Sequence, residues 1–514
     1  MFRIVKGLIL LFFSGILYSQ SPDISYPTPT VFVVNQTIAP LYPLNNGGVI
    51  PNEPQVTTLA GSGTIGSTDA IGTLASFNYP TVVTFNQQND LVIVDRSNHK
   101  IRKVAIDGAV TTLAGTGAIG TANGDVASAT FRYPDGAIVD SQGNIFITDQ
   151  SNHLIRKITP AGVVSTFAGS TAGFLDGSGL SAKFYYPAAM TIDAQDNLYI
   201  ADWNNHKIRK ITPDGTVTTY AGSTSGYLDG NAATAKFNGP TGLGIDSSGN
   251  LYVADYSNNR IRKIDTLGQV TTVAGSGTAG LADGNGSSAS FNHPAVVAVT
   301  SEAILYVTDE GNHKIRRISP LGEVTTFAGT GIIGAADGNA STSSFKNPTG
   351  IAIASDNALY IADYGNHKIR KIKTYGYTII PDLPDGLSFN TVTGEISGAP
   401  TVATPPATYT VTATNSYGSS SFVLSLEVSD NLTTADWNAN KFTIYPNPIK
   451  DKFTISGLKE EVSVSIWTLW GQKIKTFKIM TSNGVIDSSS LPKGVYVCRI
   501  TTVSGIQERM ILKE

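Results

Sequence analysis

DRSNHKIRK occupies residues 95–103, and the same phrase returns five times. It reads DQSNHLIRK at 149–157, DWNNHKIRK at 202–210, DYSNNRIRK at 255–263, DEGNHKIRR at 309–317 and DYGNHKIRK at 363–371. The intervals between the leading aspartates are 54, 53, 53, 54 and 54 residues. A Phe-x-x-Pro phrase keeps step, with prolines at 80, 134, 187, 240, 294 and 348. A third phrase, VTTLAG or a near variant, begins at Val56, Val110, Val164, Val217, Val270 and Val324. Three phrases sharing one period define a repeat architecture. Each repeat holds four short apolar runs; in the third they are AAMTIDA, NLYIADW, HKIRKIT and TVTTYAG. Turn clusters such as DAQDN and TPDG part them, which is the pattern of antiparallel hairpins. Four strands per repeat predict a β-propeller blade, and no repeat carries the apolar period of a helical solenoid.

The count predicts how the ring closes. Six repeats carry the first three strands, but the first VTTLAG copy, 56–61, precedes the first full repeat, and the last repeat ends at KIRKIK without one. The segment 56–61 is therefore expected to supply the outer strand of the last blade, leaving no open seam. The phrases FNYP and DLVIVDRSNHKIRKV resemble the NHL repeat, and all six copies match over 56–373. The resemblance implies a six-bladed propeller. It says little of activity, because propellers of this kind bind protein, RNA or glycans and a few are lyases.

Composition sets outer bounds. The 514 residues suggest about three domains. A net charge of -3 excludes a nucleic-acid binder driven by bulk positive charge, so no nucleic-acid partner is expected. The low charged fraction of 15% also argues against a coiled coil. Cys498 is the single cysteine, so no intramolecular disulfide can form. It alternates with Tyr496 and Ile500 in VYVCRI and reads as a buried apolar residue. Arg3 and Lys6, an apolar run over 8–17 and the small Ser19 predict a signal peptide over 1–19. That run is too short to span a bilayer, and no transmembrane segment is expected.

Two regions flank the repeats. YTIIPDLPDGLSFNTVTGEISGAP and YTVTATNSYGSSSFVLSLEV, within 376–428, resemble the Ig-like (cadherin-like) modules of bacterial surface proteins. Such modules usually begin with a stretch like ISYPTPTVFVVNQTIAPLYPLNNGGVI, which here lies at 24–50, before the propeller. The expectation is one sandwich, 20–55 and 374–430, with the propeller inserted between its strands, the alternative being an unrelated N-terminal linker. Insertion is tolerated where the two joints lie close together. The acidic calcium motifs of cadherins are missing. After a linker at 431–442, the region 443–514, with YPNP, SVSIWTLWGQKI, LPKGVYVCRI and a terminal MILKE, resembles the C-terminal sorting domain of the type IX secretion system in Bacteroidetes. The Trp467–Trp470 stretch departs from the usual Tyr/Asp-rich turn. The resemblance implies the secretion machinery as a partner and an extracellular or outer-membrane-surface location. The expected fold class is all-β: a six-bladed propeller inserted in or flanked by an Ig-like sandwich, plus a small C-terminal sandwich.

Candidate chemistry divides into scaffold and site. G-x-G-x-x-G occurs four times, at glycines 61/63/66, 115/117/120, 275/277/280 and 329/331/334. None opens a helix in a βαβ unit, as nucleotide binding requires, so these are loops between blades. His99, His153, His206, His313 and His367 share a column, with Asn259 in the fourth repeat. Residues one repeat apart are too distant to hold one metal ion, and a turn role is expected. Asp95, Asp149, Asp202, Asp255, Asp309 and Asp363 are expected to pair with Arg102, Arg156, Arg209, Arg262, Arg316 and Arg370, tying hairpins together. Asp69, Asn123, Asp176, Asp229, Asp283 and Asp337, eight residues before each Phe, read as turn residues. No cofactor or metal is expected; calcium at these oxygens is the alternative, though the spacing matches no known loop such as the EF-hand.

Copies that differ are free to specialise. After the motif Asp stand Arg96, Gln150, Trp203, Tyr256, Glu310 and Tyr364, and before the Pro stand Tyr79, Tyr133, Tyr186, Gly239, His293 and Asn347. Both sets fall on one face by propeller connectivity. There Arg132, Tyr133, Asp135, Tyr185, Tyr186, Trp203, Tyr256 and Tyr364 form the expected ligand-binding patch. The expected function is a secreted or cell-surface binding or scaffold protein that recognises a glycan, peptide or protein partner. The rival readings are a propeller hydrolase or lyase with a metal in the central channel, and a ligand-free spacer.

Overall fold

The run of the third repeat that reads as one apolar block, Leu198–Asp202, is buried along its whole length. It can be, because both faces of the strand are covered. Tyr199 and Ala201 pack with Leu243, Leu251 and Val253 of the next repeat, while Leu198 and Ile200 pack with Phe146 and Ile155 of the preceding one. The blade around it is antiparallel, from Pro187–Ile192 through Leu198–Asp202 and Lys207–Ile211 to Thr216–Ala221. In the first hairpin turn the Asp193 carboxylate accepts from the backbone N–H groups of Gln195 and Asn197, both at 2.9 Å, an Asx turn. The second turn is a short 3-10 stretch, Trp203–Asn205, closed by His206 in the left-handed region at φ 55°.

Six such sheets form the ring in the computed structural model, which describes residues 20–27, 30–430, 442–458, 461–468, 471–479, 483–502 and 505–514. The expected signal peptide, nearly all of the linker and Trp470 lie outside the described residues. Gln55–Ala60 pairs antiparallel with Lys368–Lys373, in the register Val56 to Ile372 and Thr58 to Arg370. The strand that precedes the first blade thus completes the sixth.

The blades differ in one respect from the four-strand expectation. Five of them carry a fifth, two-residue strand on the outer edge, such as Gly230–Asn231 against Gln269 and Val270. The first blade has only the bridge between Ile71 and Ala109. These segments occupy backbone groups that the outermost strand would otherwise leave open.

Residues from both sides of the ring share a core. Thr30–Val33 runs parallel to Gly418–Ser429, which pairs with Thr404–Asn415 and through it with Gly376–Ile380. Ile24 and Tyr26 pack with Tyr377, Ile396, Tyr409, Val411 and Leu424. The C-terminal region forms a second, smaller sandwich of three- and four-stranded sheets around Phe453, Ile455, Val464, Ile466 and Ile511. Cys498 is fully buried in that core, and burial pushes its thiol up to about 12. The fold is all-β: a six-bladed propeller with an Ig-like sandwich and a small C-terminal sandwich. No helix among the described residues is long and apolar enough to cross a membrane.

Candidate functional site

Each blade is pinned by one buried arginine. In the third, Asp202 accepts from the Tyr185 N–H, Asn205 Nδ2 and Arg209 Nη1, all at 2.8 Å. Arg209 also donates to the carbonyls of Lys183 and Leu175 at 3.0 Å and to Asp176 Oδ1 at 2.6 Å. Its guanidinium lies 5.0 Å from the Phe184 ring centre. The equivalents Arg102, Arg156, Arg262, Arg316 and Arg370 are likewise fully buried and reach Asp95, Asp149, Asp255, Asp309 and Asp363 at 2.7–2.8 Å. The column of Asp69 and Asp176 does more than shape a turn. Besides accepting from the pin arginine, Asp176 accepts from Thr219 N at 3.0 Å and so ties the loop to the outer strand. In the sixth blade Thr58 of the closing strand takes that place, donating its N–H to Asp337 at 3.0 Å.

The histidine column joins blade to blade. Nδ1 of His99 accepts the N–H of Tyr133 at 3.2 Å, and His153, His206, His313 and His367 accept those of Tyr186, Gly239, Asn347 and Tyr79 at 3.1 Å. Asn259 serves through Oδ1, accepting from His293 N at 2.9 Å. Every one of these donors precedes a proline and sits at positive φ, between 47° and 59°. The column is therefore a latch as well as a turn, and His367 to Tyr79 latches the last blade to the first. The Gly-rich loops are fastened by the motif asparagines, for example Asn98 Nδ2 to the Gly66 carbonyl at 2.6 Å.

The six residues that follow the pin aspartates meet at the mouth of the central channel. Arg96, Gln150, Trp203, Tyr256, Glu310 and Tyr364, one from each blade, line a cavity of about 370 Å³ together with Asp135, Thr81, Thr241 and Thr349. Below it, sharing Val82, Ala189 and Val296, a second cavity of about 350 Å³ is walled by the innermost strands, among them Met190, Leu243, Val297 and Ile351. The charged side chains thus stand at the mouth, while the deeper cavity is mostly apolar with the Thr84 and Thr191 hydroxyls among its lining. Gly239 replaces the larger residues of its column for a packing reason. A Cβ there would stand 2.6 Å from Trp203 Nε1.

Of the eight residues expected to bind ligand, Asp135, Trp203, Tyr256 and Tyr364 line this cavity. Tyr133 packs beside it, with its ring 4.6 Å from His99 and the Arg96 guanidinium 5.4 Å away. Arg132, Tyr185 and Tyr186 lie outside the cavity wall. The exposed Tyr185 ring stacks on Tyr186 at 5.4 Å, and Tyr186 meets Trp203 edge-on at 6.4 Å. Arg96, Gln150 and Glu310 are site residues that a search for aromatics passes over. Membership of the varying column is the signal that finds them.

Charge at the mouth is unevenly matched. Arg96 Nε stands 3.4 Å from Asp135 Oδ1, and its Nη2 donates to Gln150 Oε1 at 2.9 Å. Enclosure raises the Asp135 carboxyl above its ordinary range, with Arg96 working against it. Asp135 still touches solvent, with its side chain 21% exposed. Enclosure also carries the Glu310 carboxyl up to about 7; the Tyr256 hydroxyl opposes the rise and Asp135 adds to it. Burial and the nearby Glu310 raise the Tyr256 hydroxyl in turn. Among the described residues no three His, Cys, Asp or Glu side chains form a group able to hold a metal ion.

Comparison with known proteins matches three families. Residues 443–513 match the Secretion system C-terminal sorting domain, 341–429 the Putative Ig domain, and 184–211 and 237–264 the NHL repeat. The Ig match begins within the last blade, whereas the sandwich sheet itself starts at Gly376. NHL repeat-containing protein 2 of Bos taurus is 31% identical over 334 residues, covering 57% of this chain and 46% of its own. Protein SUPPRESSOR OF QUENCHING 1 of Arabidopsis thaliana is 27% identical over 345 residues, covering 62% of this chain and 32% of its own. The chain spans about half or less of the length of these relatives. A structural genomics protein of unknown function from Bacteroides thetaiotaomicron superposes with a TM-score of 0.50 at 17% identity, covering 69% of this chain and 98% of that one, a likeness of fold. The chain carries NHL repeats, a putative Ig domain and a type IX secretion C-terminal sorting domain, and it is an exported protein of the cell surface or the extracellular space.

Proposed function

We propose that this exported protein is a binding protein whose propeller receives a polar ligand, a glycan, peptide or protein segment, at the mouth of its channel. One observation carries the reading. In a ring whose pins and latches repeat from blade to blade, six residues of five kinds, one per blade, face a single cavity. Aromatic faces beside a few convergent polar groups are what orient a bound ligand. The type IX machinery acts earlier, on the C-terminal domain. The chain divides into 20–55 and 374–430 as one sandwich, 56–373 as the inserted propeller, 431–442 as linker and 443–514 as sorting domain. The shared core of Ile24, Tyr26, Tyr377 and Tyr409 supports that division. The rival hydrolase or lyase with a channel metal has no three-ligand group among the described residues to support it.

Glycan and peptide arrays probed with the wild type and with Trp203→Ala and Tyr256→Ala test the reading. The expected result is a defined set of ligands lost in both variants. A signal the two variants leave unchanged overturns it.

A further inference from the structure

The channel mouth is rich in acceptors, with the Gln150 amide, the Trp203 indole N–H and the Tyr364 hydroxyl as its uncharged donors. Its three threonines spend their hydroxyl protons between blades. Thr81 donates to the Asp135 carbonyl at 2.7 Å, Thr241 to the Ala295 carbonyl at 2.8 Å and Thr349 to the Thr81 carbonyl at 2.8 Å. What these oxygens turn to the cavity is lone pairs. Asp135 and Glu310 add carboxyl oxygens, and the cation at the mouth, Arg96, is engaged by Asp135 and Gln150. Such a cavity favours a ligand that donates.

The charge map says where. In blade order Glu310 stands between Tyr256 and Tyr364, and among the described residues no Lys, Arg or His side chain forms an ion pair with it. The titratable groups around it are Tyr256, Tyr364 and Asp135. His313 on its own turn bonds the Glu310 carbonyl through its backbone N–H at 3.2 Å and turns Nδ1 to Asn347. A carboxyl flanked by two phenol rings and lacking a cation is a receptor for an ammonium group. Beyond Tyr256, the third blade carries an aromatic cluster in which Trp203 meets Tyr186 edge-on and Tyr186 stacks on Tyr185, with the Trp203 ring lining the cavity and the Tyr185 ring exposed. Pyranose rings lie on aromatic faces, whereas an extended peptide would need a row of backbone partners.

Resting on the reading that the mouth binds ligand, we propose that it takes the ammonium group of an amine-bearing glycan, an unacetylated amino sugar, against Glu310 and between Tyr256 and Tyr364. The next sugars lie along Trp203 and Tyr186. The near-neutral Glu310 carboxyl supports this placement, because an arriving ammonium ionises it and the pair then holds the ligand.

The test is calorimetric titration of the full chain with a glucosamine oligosaccharide and with its fully N-acetylated counterpart. The free amine is expected to bind about tenfold or more tightly. Glu310→Gln, isosteric with the protonated acid, is expected to bring the two affinities together, with its melting profile as the check on folding. At about pH 5.5 the amine ligand should release close to one proton on binding, read from two buffers of different ionisation enthalpy, because Glu310 gives up its proton to the solvent. Equal affinity of the two oligomers, no proton release, failure of both to bind, or a lysine-ended peptide that outcompetes the sugar each overturns the inference. The first three leave the channel-mouth reading standing so long as Trp203→Ala abolishes an array signal. If no array signal responds to Trp203→Ala or Tyr256→Ala, that reading falls as well.

Discussion

Arg209 has two carboxylate partners in very different surroundings, and they should not be equally costly to neutralise. Asp202 is fully buried and accepts three hydrogen bonds, while Asp176 is 43% exposed. Asp202→Asn leaves the buried guanidinium with only the solvent-facing Asp176 as counter-charge and turns an amide toward donors. Breaking a buried pair from one side costs about 3–5 kcal/mol. Asp176→Asn keeps a carbonyl acceptor at the wet end of the same arginine, where an exposed pair is worth about 1 kcal/mol or less. The second blade already carries that replacement, since Asn123 accepts from Arg156 Nη2 at 2.7 Å. A ring of about 320 residues, 56–373, unfolds with an entropy near 0.7 kcal/mol/K, so Asp202→Asn should lower Tm by about 4–8 °C and Asp176→Asn by about 1 °C. Scanning calorimetry of the full chain and the two variants reads both shifts. Equal shifts, or an Asp202→Asn protein melting with the wild type, would refute the claim that the inner carboxylate alone is structurally indispensable.

Three further outcomes are expected. Burial, with nearby cations such as Arg96 beside His99 and Lys346 beside His367, holds the five latch histidines below their ordinary value. Their stabilisation is full above the unfolded value of about 6.5 and is lost as pH falls through the lowered folded values, so Tm should drop on acidification. A pH-independent Tm below 6.5 would contradict the latch. Glu310 has the opposite sign: its contribution is present below the unfolded value of about 4.5 and lost as pH rises through about 7. Glu310→Gln should therefore flatten that part of the Tm curve, and an identical curve in the variant would count against the assignment. Val56 is fully buried in the closing strand. Val56→Asp buries an unpaired charge there and should open the ring to limited proteolysis near 55–60, whereas digestion at the wild-type rate would argue against closure by this strand.

Much of this could be read from residues alone, for identifiable reasons. The pins were legible because Asp202 and Arg209 are seven residues apart and recur in every repeat. Ring closure was legible because six copies of the outer-strand phrase are offset by one repeat. Other features hide in separation. Asp69 finds Arg102 33 residues on and Thr112 43 residues on, so nothing local marks it as more than a turn. The fifth strands are Gly–Asn or similar pairs with no apolar signal to betray them. At the mouth, Tyr185 and Tyr186 attracted notice as aromatics but lie outside the cavity lining, while Glu310 and Gln150 line it by column position. Chain register around the ring decides who meets at the axis, and residue type does not.

The seal has a temporal consequence. Val56 pairs with Ile372, 316 residues further on, so along the chain five blades lie between the two strands of the seal. Until they pair, QVTTLA waits with both edges bare, and the nascent ring is an open arc whose two ends each solicit a strand from any passing chain. Commitment to a closed ring therefore arrives in a single late step. Crowding during synthesis and export is the hazard this molecule must outlast before it has anything to display.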